Sequence, residues 1–262
     1  MNIIIKRNQT SKYNQIVNNQ MLKIYTRPYK LKNKYNSIIP LNIFQTWYTK
    51  DLPPKMKEYV ELLKSQHPRF KHFLFDDNDC REFIKNNFNP EVLHAYDTLI
   101  PGAYKADLWR YCVLYIHGGI YMDIKLRCIN QFRLIELTEQ NHLVKDRPLP
   151  LSIFNALMVS QKGNPLLLQA IQRIVLNVKN KFYGSSPLDP TGPLLLGKII
   201  LNNRIRQPID LYHYSQGGYI IFKNKFIIST EYPEYNKERG QLHNKTKTKY
   251  YAQSWNDRHI YK

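Results

Sequence analysis

Apolar positions fall into short runs whose period changes along the chain. Leu41 to Trp47, Phe70 to Phe75 and Ile120 to Met122 are brief, largely apolar segments bounded by turn residues, the pattern of buried strands. Between them the period becomes helical: Met56, Tyr59, Val60 and Leu63 recur after the Pro53-Pro54 break. Asp76-Asp77-Asn78-Asp79 has helix N-cap chemistry and introduces predicted helices over 79–87 and 90–98. Pro101-Gly102 opens a further helix on which Ala103, Ala106, Trp109 or Arg110, Val113, Leu114 and His117 share a spacing. Gly118-Gly119 then provides the positive-φ residue that stops it. Downstream, the pattern predicts a strand over 151–159, helices over 165–180 and 193–202, a hairpin over 219–228 turning at Lys223-Asn224, and a last strand over 249–252. Strands alternating with helices imply an α/β domain with a mostly parallel sheet. That domain spans 38–256. Residues 1–37, rich in Lys, Asn, Gln and Tyr, read as an N-terminal extension, partly helical over 13–24, and 257–262 as a C-terminal tail.

Composition narrows the class. At 43% hydrophobic and 23% charged, the 262 residues have enough apolar surface to offset the entropy of ordering, which excludes a disordered or fibrous chain. The charge of +19 implies an anionic partner: nucleic acid, a membrane surface or a phosphorylated small molecule. The three cysteines, Cys80, Cys112 and Cys128, are odd in number and lack metal-site spacing, which argues against a disulfide framework or a zinc cluster. No run approaches the ~18 apolar residues of a membrane span. The apolar stretch at Ile3-Ile4-Ile5 is too short for a signal peptide, so the expected location is cytoplasmic.

Ligands of open α/β sheets bind outside the carboxyl ends of the strands, where this pattern puts Trp47, Asp76, Asp77 and Asp123. A carboxylate there accepts from sugar hydroxyls or ligates a hard cation. Asp107 and Arg110, three apart on a helix, share a face and reach the same ligand, although an intrahelical ion pair alone has the same spacing. Trp47 and Tyr121 offer rings for stacking. For Asp76, Asp77 and Asp189, turn chemistry is the preferred reading.

Lys105-Ala106-Asp107-Leu108-Trp109-Arg110-Tyr111, then Leu114-Tyr115 and Gly118-Gly119-Ile120-Tyr121-Met122-Asp123, resembles the sugar-binding DXD region of glycosyltransferase family 32. That family includes yeast-type initiating mannosyltransferases and is related to the glucosylating domains of clostridial toxins. Further pieces occur in the family's order: Ile39-Pro40 with Gln45-Thr46-Trp47 and Leu52-Pro53, Asn155 and Ser160 through Gly163-Asn164-Pro165, Thr191-Gly192-Pro193, and Ser254-Trp255. The resemblance implies a single-domain, Rossmann-like GT-A fold and a retaining hexosyltransferase. Its donor would be a nucleotide-diphospho-sugar, a UDP-sugar before GDP-mannose, and its acceptor a glycan or protein hydroxyl. By the same resemblance Trp47 would meet the nucleobase, Asp107 and Arg110 the donor sugar's hydroxyls, and Asp123 ribose, sugar or metal. Asn155 would line the donor pocket, with Gln45, Tyr121, Lys125 and Ser254 in the donor-binding set. Trp255 would close over the diphosphate from a mobile C-terminal loop. Asp107, Arg110 and Asp123 are the catalytic candidates.

Three departures stand out. Lys125 occupies the place of the second DXD aspartate, Phe44 that of a histidine, and Tyr250-Tyr251-Ala252-Gln253 that of a His-Trp-rich stretch. The resemblance implies Mn²⁺ or Mg²⁺ with Asp123 as ligand, and Lys125 leaves that metal open. Two alternatives remain. One is a basic nucleic-acid-binding protein, although the basic residues are spread along the chain instead of forming a stripe, so no specific nucleic acid is expected. The other is a catalytically degenerate homologue. Membrane association would suit the charge, but the sequence offers no amphipathic anchor, and it leaves the oligomeric state open.

Overall fold

A computed structural model describes residues 25–147, 151–203, 207–246 and 249–262; the helix expected over 13–24 lies outside them. In chain order the elements are β1 (Asn42–Thr46), α1 (Pro54–Gln66), β2 (Lys71–Phe75), α2 (Asp77–Asn87), α3 (Pro90–Thr98), α4 (Gly102–His117), β3 (Gly119–Met122), β4 (Arg127–Cys128), a 3₁₀ turn (Leu134–Leu137), β5 (His142–Arg147) and β6 (Ser152–Ser160). There follow α5 (Pro165–Lys179), α6 (Pro193–Asn203), β7 (Leu211–Tyr214), β8 (Tyr219–Phe222), β9 (Lys225–Ser229), α7 (Tyr235–Thr246) and α8 (Tyr251–Asn256).

The predicted starts and stops have the expected chemistry. Asp76 caps α2: its carboxylate accepts from the Asp79 backbone N–H at 2.8 Å, and the Asp79 carboxylate accepts from that of Asp76 at 3.1 Å. At the end of α4, Gly118 and Gly119 have φ of 62° and 124°. They are also places of close approach. A Cβ on Gly118 would lie 2.6 Å from the Lys162 backbone nitrogen, and one on Gly119 2.7 Å from the Asn42 carbonyl oxygen. Lys223 and Asn224 both have positive φ, as a two-residue turn between β8 and β9 requires.

The strands form one sheet in the order β2-β1-β3-β6-β5-β7-β8-β9-β4. The α/β architecture is as expected, but the sheet is mixed instead of mostly parallel. Only β1–β2, β1–β3 and β5–β7 pair in parallel; the other pairings are antiparallel. Parallel neighbours need helical crossovers, which α1 to α4 supply early in the chain. Short links turn the chain straight back between β5 and β6, β7 and β8, and β8 and β9, while α5 and α6 carry it from β6 to β7 beside β5. A second correction concerns 249–252. Tyr251 begins helix α8 and Tyr250 is its N-cap; two tyrosines and an alanine are too short a run to distinguish strand from helix by period.

One core lies where α4, α5 and α6 cover the sheet, and a second lies on the side of Ile120, Met122 and Phe132. Helix α4 is buried on nearly every side, with Leu108, Trp109, Tyr111, Cys112 and Val113 at 0% exposure. Asp107 and Arg110 on it are therefore held away from water and require partners. Both ends of the described chain join the cores. Tyr29 packs edge-on to Phe132 and donates to Glu136 at 3.1 Å. Ile260 and Tyr261, in the predicted tail, are buried, and the Ile100 N–H donates to the Ile260 carbonyl at 3.0 Å. All three cysteines are buried and free. No helix among the described residues is long and apolar enough to cross a membrane.

Candidate functional site

Helix α4 presents Asp107, Arg110 and Tyr111 on one face, as their i, i+3, i+4 spacing dictates. They meet Asn155 from β6 and Thr191 from the loop before α6. Asp107 Oδ1 accepts from Asn155 Nδ2 at 2.9 Å and lies 3.3 Å from an Arg110 guanidinium nitrogen. Its Oδ2 accepts from Thr191 Oγ1 at 2.7 Å. The tyrosine hydroxyl of Tyr111 donates to the Thr191 carbonyl at 3.1 Å and accepts from Asn155 Nδ2 at 3.0 Å. Arg110 donates to the carbonyls of Asn155 at 2.7 Å and Ala106 at 3.2 Å, and its guanidinium carbon sits 4.4 Å over the Tyr121 ring. Even the glycine after Thr191 has a packing reason: a Cβ on Gly192 would come within 3.0 Å of Asp107 Oδ2. Burial pushes the Asp107 carboxyl above the ordinary carboxylate range, with Arg110 and the hydrogen bonds from Thr191 and Asn155 opposing the shift.

Asp123 stands beside this box, one residue past β3. Its Oδ1 accepts from the Tyr121 hydroxyl at 2.7 Å and lies 3.7 Å from Arg110 Nη1. Its backbone N–H donates to the Ala156 carbonyl, and its own carbonyl accepts from the Leu126 N–H, so the chain turns sharply at this point. The Asp123 side chain is 25% exposed, against 10% for Asp107 and 6% for Arg110. Of the two carboxylates, Asp123 is thus the one that can touch a solvent-borne ligand.

At the same edge of the sheet, Trp47 packs with Met56, Val60, Ile124, Tyr232 and Tyr235, and its indole N–H is buried without a hydrogen-bond partner. Lys125 Nζ lies 5.7 Å from the centroid of the Tyr235 ring. The remaining candidates lie apart from the Asp107–Arg110–Asp123 network. Gln45 is buried, its side-chain oxygen 2.8 Å from His72 Nε2. Ser254 and Trp255 sit on α8, where Ser254 is buried and the Trp255 indole donates to the Tyr183 carbonyl at 2.7 Å. The expected closing loop is here a short helix packed on the core.

Tyr111 and Thr191 stand within motifs quoted from the sequence but were not chosen there as site residues, and Tyr235 was not singled out. The i+4 step from Asp107 was available for Tyr111, and the Thr-Gly-Pro triplet for Thr191. Tyr235 carries no such signal.

The side chains do not fit a protein-held divalent cation. No group of three or more His, Cys, Asp or Glu able to hold one occurs among the described residues. Both Asp107 oxygens are engaged within the box, and the residue two past Asp123 in the sequence is Lys125, which has no oxygen to offer a cation.

Residues 53–145 match the family described as glycosyltransferase sugar-binding region containing DXD motif. Inositol phosphoceramide mannosyltransferase 3 of Schizosaccharomyces pombe is 32% identical over 172 residues, 65% of this chain and 47% of that protein. An uncharacterized glycosyltransferase of Acanthamoeba polyphaga mimivirus is 40% identical over 93 residues, 35% of this chain and 37% of that protein. The match thus spans less than half the length of these relatives. Among solved structures, the PaToxG glycosyltransferase superposes with a TM-score of 0.50 at 16% identity, covering 76% of this chain and 80% of that one. The resemblance to glycosyltransferase family 32 stands, and the α/β fold is of the GT-A type.

Proposed function

We propose that this chain transfers a hexose from a nucleoside-diphosphate sugar to a hydroxyl of a glycan or protein, with retention of anomeric configuration. The observation that carries the reading is Asp123: a partly exposed carboxylate at the carboxyl end of a central strand, oriented by the Tyr121 hydroxyl and backed by the Arg110 guanidinium. Such a carboxylate accepts from the vicinal hydroxyls of a sugar or ribose, and the Tyr121 hydroxyl holds it aimed. Behind it, the Asp107–Arg110–Asn155–Thr191 box fixes the guanidinium. Trp47 supplies an indole at the same sheet edge for the nucleobase. The mannosyl name of the fission-yeast relative favours a mannose donor over the uridine sugar expected from sequence.

In the proposed reaction the acceptor oxygen attacks the anomeric carbon from the face that the diphosphate leaves. The bond from that carbon to the β-phosphate oxygen breaks with its electron pair on the phosphate, and the acceptor's proton passes to the departing diphosphate. No step needs a protein nucleophile. Negative charge grows on the leaving group, and a preorganised positive partner there is worth about 2.7–4 kcal/mol of the barrier. Donor hydrolysis across a panel of UDP- and GDP-hexoses tests the reading, with wild type and Asp123→Asn compared. Turnover of one donor that collapses in the variant supports it; no turnover of any donor, or equal turnover in both proteins, overturns it.

A further inference from the structure

Next to the cluster that holds Trp47, two cations lie over aromatic rings. Lys125 Nζ faces the Tyr235 ring, and Arg239, one turn further along α7, has its guanidinium carbon 4.9 Å from the Tyr250 ring centroid. Burial raises the Tyr235 phenol above its ordinary value; the Arg239 charge opposes that shift and the Asp123 charge adds to it, so both charges lie within electrostatic reach of one ring. Tyr251, next to Tyr250, is raised by burial and by Tyr250, and it feels both Asp107 and Arg239. In space, the Tyr251 ring lies 5.9 Å from that of Tyr104 on α4 and 4.4 Å from that of Tyr250, under the Arg239 guanidinium, so the start of α8 and this turn of α7 meet beside the helix that carries Asp107 and Arg110.

Resting on the donor reading above, we propose that the chain binds the diphosphate of its donor without a divalent cation, on the Lys125 ammonium and the Arg239 guanidinium. Two monovalent cations supply the charge that one divalent ion would, and they do so through directed N–H donors, the guanidinium being suited to bidentate phosphate contact. An aromatic ring beneath each cation restrains it and takes part of its hydration shell. Lys125 also stands in the sequence position of the second DXD carboxylate, so the chain lacks the paired oxygens with which such a site would hold a dication. As the sugar–phosphate bond breaks, these two side chains meet the negative charge left on the diphosphate; they exchange no proton and form no bond with it.

The test is calorimetric binding of UDP and GDP to the full 262-residue chain, in excess chelator and again in Mn²⁺. The nucleotide that binds is expected to do so with affinities within about twofold in the two conditions. Lys125→Met and Arg239→Met, each folded by thermal melt, are expected to weaken it by about tenfold in both. Lys125→Gln replaces Lys125→Met should the latter fail to fold. Lys125→Asp, which restores paired carboxylates, is expected to lose binding in chelator and regain it with Mn²⁺. Collapse of wild-type binding in chelator with recovery in Mn²⁺ overturns the proposal alone, as do lysine and arginine variants that bind like wild type. Failure of both nucleotides to bind wild type in either condition overturns the donor-site reading, and this proposal falls with it.

Discussion

Two carboxylates of one small region, Asp107 and Asp123, live in opposite circumstances. Asp107 is sealed: each oxygen accepts a hydrogen bond from a neighbouring side chain, Arg110 is beside it, and the surrounding helix is closed to water. Asp123 is held on one oxygen by Tyr121 and is otherwise turned toward solvent. The same arginine faces both. Sequence spacing alone made Asp107 and Arg110 look like a ligand-binding pair; their partners make them a preorganised base on which Asp123 rests. Asp123 is both oriented and accessible, and Asp107 serves to fix the arginine that backs it.

Stability measurements on the two carboxylates give the largest expected contrast. Asp107→Ala leaves Arg110 buried with its main counter-charge removed, and it is expected to cost about 3–5 kcal/mol in urea denaturation. Asp123→Ala removes a partly hydrated group and is expected to stay within roughly 1 kcal/mol of wild type. Equal losses in the two variants would erase the division of roles. Function should separate them in the other direction. Asp123→Asn is expected to lower kcat/KM for the donor by about a hundredfold, equivalent to about 2.7 kcal/mol, with the unfolding midpoint little changed.

The parts of this arrangement that were legible in sequence are those governed by local rules. Helix α4, its glycine stop and strand β3 follow from period and from Gly118-Gly119, so Asp107, Arg110 and Asp123 could be placed near one another. The partners of Asp107 could not be placed in that way. Asn155 and Thr191 reach it across 48 and 84 residues, a distance at which no periodicity operates, and only the family-like triplets around them gave a sign. Strands β5 and β7 were missed because their polar residues are paired inside the sheet region: His142 with Asp210, and His213 with Asp146, each at 2.7 Å. Those pairs make the segments read as loops. Helix α7 was missed for a different reason. It is polar along most of its length, so it lacks the apolar stripe that announces a helix.

A smaller effect isolates one wall of the sealed box. Thr191→Val keeps shape but deletes the hydroxyl that Asp107 Oδ2 accepts from, leaving that oxygen short of a partner. The expected cost is about 2 kcal/mol, read by urea denaturation. A double-mutant cycle with Asn155→Leu should then show coupling, since both side chains bond the same carboxylate. Additive losses would mean that the two walls act independently and that the box is not a unit.

Acid sharpens the comparison from outside the site. His67 is buried, and its Nδ1 faces the Leu134 N–H; His72 lies against Gln45 on the β1–β2 side of the sheet. Burial lowers each imidazole to about 4, helped by Arg133 at His67 and by Lys64 at His72, where Glu61 opposes. In the unfolded chain both titrate near 6.5. As pH falls below that value the unfolded state takes up protons first, so stability is complete above about 6.5 and declines toward about 4. The slope per histidine reaches at most about 1.4 kcal/mol per pH unit. Urea midpoints across this window should fall in parallel for wild type and Thr191→Val if the decline comes from the two histidines, because both lie outside the box. His72→Gln, which retains a donor toward Gln45, should flatten the decline by roughly half, as one of the two histidines has gone. A slope unchanged in His72→Gln but altered in Thr191→Val would mean that Asp107, whose burial favours its protonated form and whose Thr191 hydrogen bond opposes it, takes up a proton in this window and that the histidines do not set the decline.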